Sequence, residues 1–109
     1  MKQINYADTD WLIGDEAADL MLEYSVLMAR EGTADSVDIC VIAMDGTHQT
    51  VSILLGPATM MTARHVDSEA DEPDNSQVIE EVRARIHAIL SPPSVLPSDP
   101  SESVSEYDF

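Results

Sequence analysis

Residues 36–44 read S-V-D-I-C-V-I-A-M, residues 45–48 read D-G-T-H, and residues 49–55 read Q-T-V-S-I-L-L. Two β-branched apolar runs around an Asp-Gly dipeptide predict a β-hairpin. Glycine, and less readily aspartate, takes the positive φ that a tight turn demands. Side chains alternate across a strand. A two-residue loop at Asp45-Gly46 and a four-residue loop from Asp45 to His48 both pair odd with even positions. Either register places Ile42, Met44, Val51, Ile53 and Leu55 on one face, the expected core. Val37, Ile39, Val41 and Leu54 then share the opposite face, apolar enough to be covered by a partner or by the rest of the chain.

Outward from the hairpin, residues 15–31 predict a helix. Ala17, Leu20, Met21, Tyr24, Leu27 and Met28 follow the spacing of one helical face. Asp15, Glu16 and Asp19 suit its positive end, Arg30 its negative end, and Gly32 its C-terminal cap. Ahead of it, Trp11-Leu12-Ile13 forms an apolar cluster expected to pack under the helix. Residues 1–10 are polar with Ile4 and Tyr6 alternating, which fits a short edge strand or a frayed end. After the hairpin, Gly56-Pro57 signals a turn, and T-M-M-T-A-R-H-V at 59–66 predicts a third strand antiparallel to the second.

Residues 67–77, D-S-E-A-D-E-P-D-N-S-Q, read as an acidic mobile loop without an apolar anchor. Their Asp spacing lacks the glycine of a calcium-binding loop. Asp74 or Ser76 caps a second helix that runs to about Leu90, with Val78, Val82, Ile86 and Ile89 as its stripe and Ile79 and Leu90 widening it. Pro92 and Pro93 stop it. The remainder, S-V-L-P-S-D-P-S-E-S-V-S-E-Y-D-F at 94–109, is Pro-, Ser- and acid-rich and predicts a disordered tail. Its end, with Tyr107 and Phe109, is either a short motif for a partner or a solubilising extension.

The chain has 109 residues and a formal charge of −16. That length suits one domain. The acids lie in the flanking parts, while residues 36–66 carry only Asp38 and Asp45 against Arg64. Such a field repels nucleic acid and anionic membranes and attracts basic partners. No basic patch argues for direct nucleic-acid binding. Cys40 stands alone within a strand pattern, so no disulfide forms within the chain and Cys40 reads as a small buried hydrophobe. The first residues lack the apolar core of a signal peptide, and the longest apolar run is too short to span a bilayer, so a cytoplasmic protein is expected.

No catalytic motif emerges: there is no nucleophile elbow, phosphate loop, dinucleotide fingerprint, Cys-x-x-Cys or metal-binding His pair. His48, His65 and His87 each have a local reading as turn, strand-end and helix-end residues. Glu80 and Glu81 are neighbours on a helix and point to different sides. No cofactor, metal or enzymatic activity is expected.

The runs L-M-L-E-Y-S-V-L-M-A-R at 20–30, V-S-I-L-L-G-P-A-T at 51–59 and E-P-D-N at 72–75 are similar to segments of small uncharacterised bacterial proteins of the actinobacterial kind. That resemblance covers residues 11–90 and implies a single bacterial cytosolic domain, without implying an activity.

The sequence therefore predicts an α+β fold: a small two-layer domain at 11–90 in which two helices cover a three-stranded antiparallel sheet, in the order α-β-β-β-α, followed by the acidic tail at 91–109. The expected function is non-catalytic protein binding, with a basic partner or a second copy of the chain. Val37, Ile39, Val41, Leu54, Tyr107 and Phe109 are the candidate contact residues. The alternative is a nucleic-acid mimic that presents Asp15, Glu16, Asp19, Glu23, Glu80 and Glu81 to a basic groove.

Overall fold

The helical spacing of Ala17, Leu20, Met21, Tyr24, Leu27 and Met28 buries those side chains along one face of α1 (Asp15–Glu31). Gly32 follows in the left-handed conformation that ends the helix. A computed structural model describes residues 1–91. Besides α1 it contains β1 (Lys2–Tyr6), β2 (Thr9–Ile13), β3 (Asp35–Ala43), β4 (His48–Leu55), β5 (Met61–His65) and α2 (Ser76–Leu90). The architecture is α+β, but the sheet has five strands where the sequence predicted three. Their order is β4-β3-β2-β1-β5, with all neighbours antiparallel.

The two additional strands come from the first thirteen residues. Ile4 and Ile13 are fully buried, with Trp11 half-buried beside them. The expected edge strand or frayed end is instead half of a hairpin inside the sheet. Its two-residue turn, Ala7-Asp8, has φ of 50° and 67°. Positive φ at both central positions suits the right-handed twist of the strands. The turn carries no glycine or asparagine, so the usual hairpin signal is missing. Left-handed φ costs a residue with a Cβ roughly 1–2 kcal/mol. Replacing Ala7-Asp8 by Asn-Gly is expected to stabilise the fold by about 1 kcal/mol, seen as a higher urea midpoint at an unchanged slope.

The β3-β4 hairpin has a different register from either one expected. Its loop is the three-residue Met44-Asp45-Gly46. Gly46 N–H donates to the Ala43 carbonyl (2.8 Å), and Ala43 N–H donates to the Thr47 carbonyl (2.8 Å). Gly46 sits at φ 91°, the left-handed position that follows a type I turn in three-residue hairpins. The Asp45 carboxylate accepts from the Thr47 N–H and hydroxyl, at 3.0 and 2.7 Å. An odd loop pairs odd with odd: Val37 faces Ile53 and Ile39 faces Val51. A one-residue change of register moves every side chain of a strand to the other face. Val37, Ile39 and Val41 are thus corrected from an open face to the core, where they lie buried with Ile53 and Leu55 under the helices. Leu54 remains on the outer face, 57% exposed.

β5 pairs with β1, not with β4 as expected. The reason lies at the end of β4. The Tyr6 hydroxyl donates to the Leu54 carbonyl (2.8 Å) and accepts from its N–H (3.0 Å). The Thr59 hydroxyl also donates to that carbonyl (3.0 Å). Leu54 therefore has no backbone group left for a returning strand. Tyr6 belongs to β1, with β2 and β3 lying between it and β4. This bond shows how strongly the sheet curls around α1.

α2 packs against α1 and β3 and buries Ile79, Val82 and Ile86. Val78 and Ile89 are half-buried, while Leu90 is exposed. Residues 66–75 bring the chain from β5 to α2 across the outer face. Val66, Asp67, Ser68 and Ala70 border a depression with Leu12 and Ile42, which helps bury Ile42 on that side. Pro73 is buried, and so is Asn75. The acidic segment expected to lack an anchor thus has two. Residues 92–109, with Tyr107 and Phe109, lie outside the described residues.

Candidate functional site

β2 and β3 pair only at Trp11–Ala43 and Leu12–Ile42. There β2 gives way to α1, and the rest of β3 continues with that edge uncovered by a strand. In an antiparallel pair, residues alternate between bonding the neighbour and facing away from it. The bonded pair Ala43–Thr47 sets the phase. The N–H and C=O of Cys40, Asp38 and Ser36 therefore point away from β4, toward the open side.

Asn75 closes the first of these positions. Its carboxamide accepts from the Cys40 N–H (2.8 Å) and donates to the Cys40 carbonyl (2.8 Å). A side-chain amide thus makes both bonds that a neighbouring strand would make. Asn75 is 5% exposed and is the one buried polar side chain among the described residues. Its backbone carbonyl also accepts from Ile79 N–H at the start of α2 (2.8 Å). One residue thereby fixes β3 to the second helix.

Past Asn75 the edge is open. A groove of about 590 Å³ runs between it and the first half of α2. Ser36, Asp38 and Cys40 form one wall, and Gln77, Val78 and Glu81 the other. Ser36 N–H is bonded by the neighbouring Asp35 carboxylate (2.9 Å). Among the described residues, none bonds the N–H or C=O of Asp38. Among the described residues, Asp38, Asp74 and Glu81 are the acids of the lining and Arg85 is its one base. The Arg85 guanidinium donates to Asp35 (2.7 Å) and lies 3.3 Å from Glu81, so the groove keeps an acidic surplus. Hydrogen bonds from the Ser76 hydroxyl and N–H hold the Asp74 carboxyl below its ordinary pKa.

The groove's far end is fixed by a second set of bonds. The buried Tyr24 hydroxyl on α1 donates to Asp35 (2.6 Å), which also receives Arg85 from α2. Asp35 thus joins both helices to the first residue of β3. Its pKa is lowered, chiefly by the Tyr24 hydroxyl and further by the Arg85 charge. Burial pushes the Tyr24 phenol up. A carboxylate with a depressed folded pKa stabilises the fold fully above its unfolded value near 3.9, and loses that contribution as pH falls through the folded value. Asp35→Asn is therefore expected to cost about 1–2 kcal/mol near neutrality, after allowance for partial exposure. The gap from wild type should narrow below about pH 4, which thermal unfolding across pH 2–7 reads directly.

No protein-family model matches the chain. No curated protein matches it, and no solved structure does either.

Among the candidate contact residues that the structure describes, Val37 alone reaches this groove, and it does so from the core side. Ile39 and Val41 are fully buried. Leu54 borders a separate apolar depression with Tyr6, Pro57 and Met60. Cys40 is half-buried, its Sγ 3.8 Å from the Thr50 hydroxyl. Sequence reasoning missed Asn75, Asp38, Asp74 and Glu81 as one group. The available signal was a polar Asn between Pro73 and the start of a helix, but the capping reading went to its neighbours Asp74 and Ser76 and gave Asn75 no role. Among the described residues, no three of His, Cys, Asp and Glu stand together as a metal would need. No described helix is long and apolar enough to cross a membrane.

Proposed function

We propose that this protein is a non-catalytic binding module that captures an extended, basic segment of a partner protein along the open edge of β3. The observation that carries this reading is the Asn75–Cys40 pairing. It shows in which direction the β3 backbone offers its groups, and it stops one outward-facing position short of Asp38. An extended peptide laid beside Asp38 would make main-chain bonds of the kind Asn75 makes to Cys40, the mode by which a strand is added to a sheet edge. Side chains of that peptide on the outer face would meet Asp38 and Asp74, which favour Lys or Arg, and the intervening ones would turn toward Val78 on α2. The overall charge of −16 would speed encounter with such a segment and make binding weaken with salt.

Mimicry of nucleic acid has less support. Lys2 pairs with Asp19, Arg83 with Glu16 and Arg85 with Glu81. Those acids are partly neutralised from within the chain and do not form an unbroken anionic row.

A fluorescent peptide of alternating Lys and Val tests the proposal by anisotropy, beside the same peptide with alternate backbone nitrogens methylated. The charge is equal in both, but methylation removes strand-forming donors. The expected result is binding of the first peptide with at least tenfold loss for the second, and a comparable loss for Asp38→Lys protein. Equal binding of both peptides would reduce the interaction to bulk charge and overturn the reading.

A further inference from the structure

The outer edge of β4 lies in a run without charged side chains. Residues 46–63 contain no Asp, Glu, Lys or Arg, in a chain of net charge −16. The β3-β4 register bonds the odd residues of β4 to β3 and turns the N–H and C=O of His48, Thr50 and Ser52 outward. All three residues are exposed. Proteins commonly protect such an edge with a charge, a proline or a bulge, and residues 48–52 carry none of these. Protection begins only at Leu54, where the Tyr6 and Thr59 hydroxyls occupy the backbone groups.

We infer that this edge pairs with the same edge of a second copy of the chain, making a twofold dimer with a continuous ten-stranded sheet. An antiparallel edge is complementary to itself about a twofold axis. With the axis at Thr50, Thr50 faces its own copy and His48 faces Ser52. The three outward residues then exchange about six hydrogen bonds. Charge decides for this occupant. Two molecules of such strong like charge repel, and a strand that carries no charged residue of its own is where they approach at least cost. The nearest carboxylates belong to neighbouring segments, Asp38 accepting from the Ser52 hydroxyl and Asp74 bordering a depression with His48 and Thr50, while the strand itself brings no charge for a second copy to bury.

Two consequences separate this dimer from peptide capture in the β3 groove. Salt screens repulsion between the copies and tightens the dimer, whereas it weakens binding of a basic peptide. Thr50 does not itself line the groove, though its hydroxyl lies 3.8 Å from the Cys40 Sγ. The experiment is sedimentation equilibrium on the full chain from micromolar to millimolar concentration, at low and high salt. It includes Thr50→Glu, which sets two carboxylates opposite each other at the axis, and Thr50→Pro, which removes an outward-facing N–H without breaking a backbone bond to β3. The expected result is a wild-type dimer that strengthens with salt, and monomers at least tenfold more resistant to association for both variants. Each variant is checked for unchanged far-ultraviolet circular dichroism. A wild type that remains monomeric throughout, or a dimer that Thr50→Glu leaves intact, would overturn the inference.

Discussion

Asn75→Leu is expected to destabilise the fold by about 3 kcal/mol, more than any other single polar replacement in the described residues. The substitution keeps apolar bulk but removes the partner of both backbone groups of Cys40. Each buried group left unbonded costs roughly 1–3 kcal/mol. Asn75→Asp supplies a more specific test. A carboxylate still accepts from the Cys40 N–H but cannot donate to its carbonyl, and it is nearly excluded from water. The protonated acid can do both. Its folded pKa is therefore raised above about 3.9. The deficit of this variant should be smallest below that value and grow as pH rises through the folded pKa. Chemical unfolding at pH 3.5 and pH 7 measures the difference. A deficit independent of pH would show that Asn75 acts through packing alone.

The second large effect tests the hairpin register. Ile39→Ala is expected to cost about 3–4 kcal/mol, in the range found when a buried aliphatic side chain is truncated and a cavity remains. Ile39 is fully buried opposite Val51. Leu54→Ala removes a similar side chain from the outer face and is expected to cost under about 0.5 kcal/mol. Under the even-loop registers the chain would present Ile39 and Leu54 on one face, and the two substitutions would have similar effects. Urea unfolding of the pair, compared at equal slopes, distinguishes the registers. The predicted loss is a sizeable part of the 5–15 kcal/mol that holds a domain of this size together.

These two tests also mark where the sequence was legible. The helices were readable because their signals are local and redundant: an apolar stripe, charges at each end, Gly32 after the first helix and a polar capping stretch before the second. The main hairpin was readable as a hairpin for the same reason. Its register was not, because Asp45-Gly46 fits a two-residue loop as well as the last two positions of a three-residue one. Only the choice of the odd loop puts Val37 and Ile39 in the core. The first hairpin was hidden because Ala7 and Asp8 hold positive φ without glycine. The pairing of β5 with β1 depends on hydroxyls of Tyr6 and Thr59 reaching Leu54, one of them across 48 positions of sequence. The groove was illegible because it exists where β2 leaves β3, a gap no local pattern encodes. Asn75 and Cys40 stand 35 positions apart, and neither is unusual where it stands in the chain.

Capture of an extended basic segment at β3 is tested most directly by amide hydrogen exchange at single-residue resolution, with and without the alternating Lys-Val peptide. In the free protein, the account predicts a protected Cys40 amide, held by Asn75, and a rapidly exchanging Asp38 amide at the open edge. Saturating peptide should slow Asp38 exchange at least tenfold and leave Thr50 on the far edge of the hairpin unchanged. Peptide binding that leaves Asp38 exchange as fast as before would contradict strand addition at this edge, whatever its affinity.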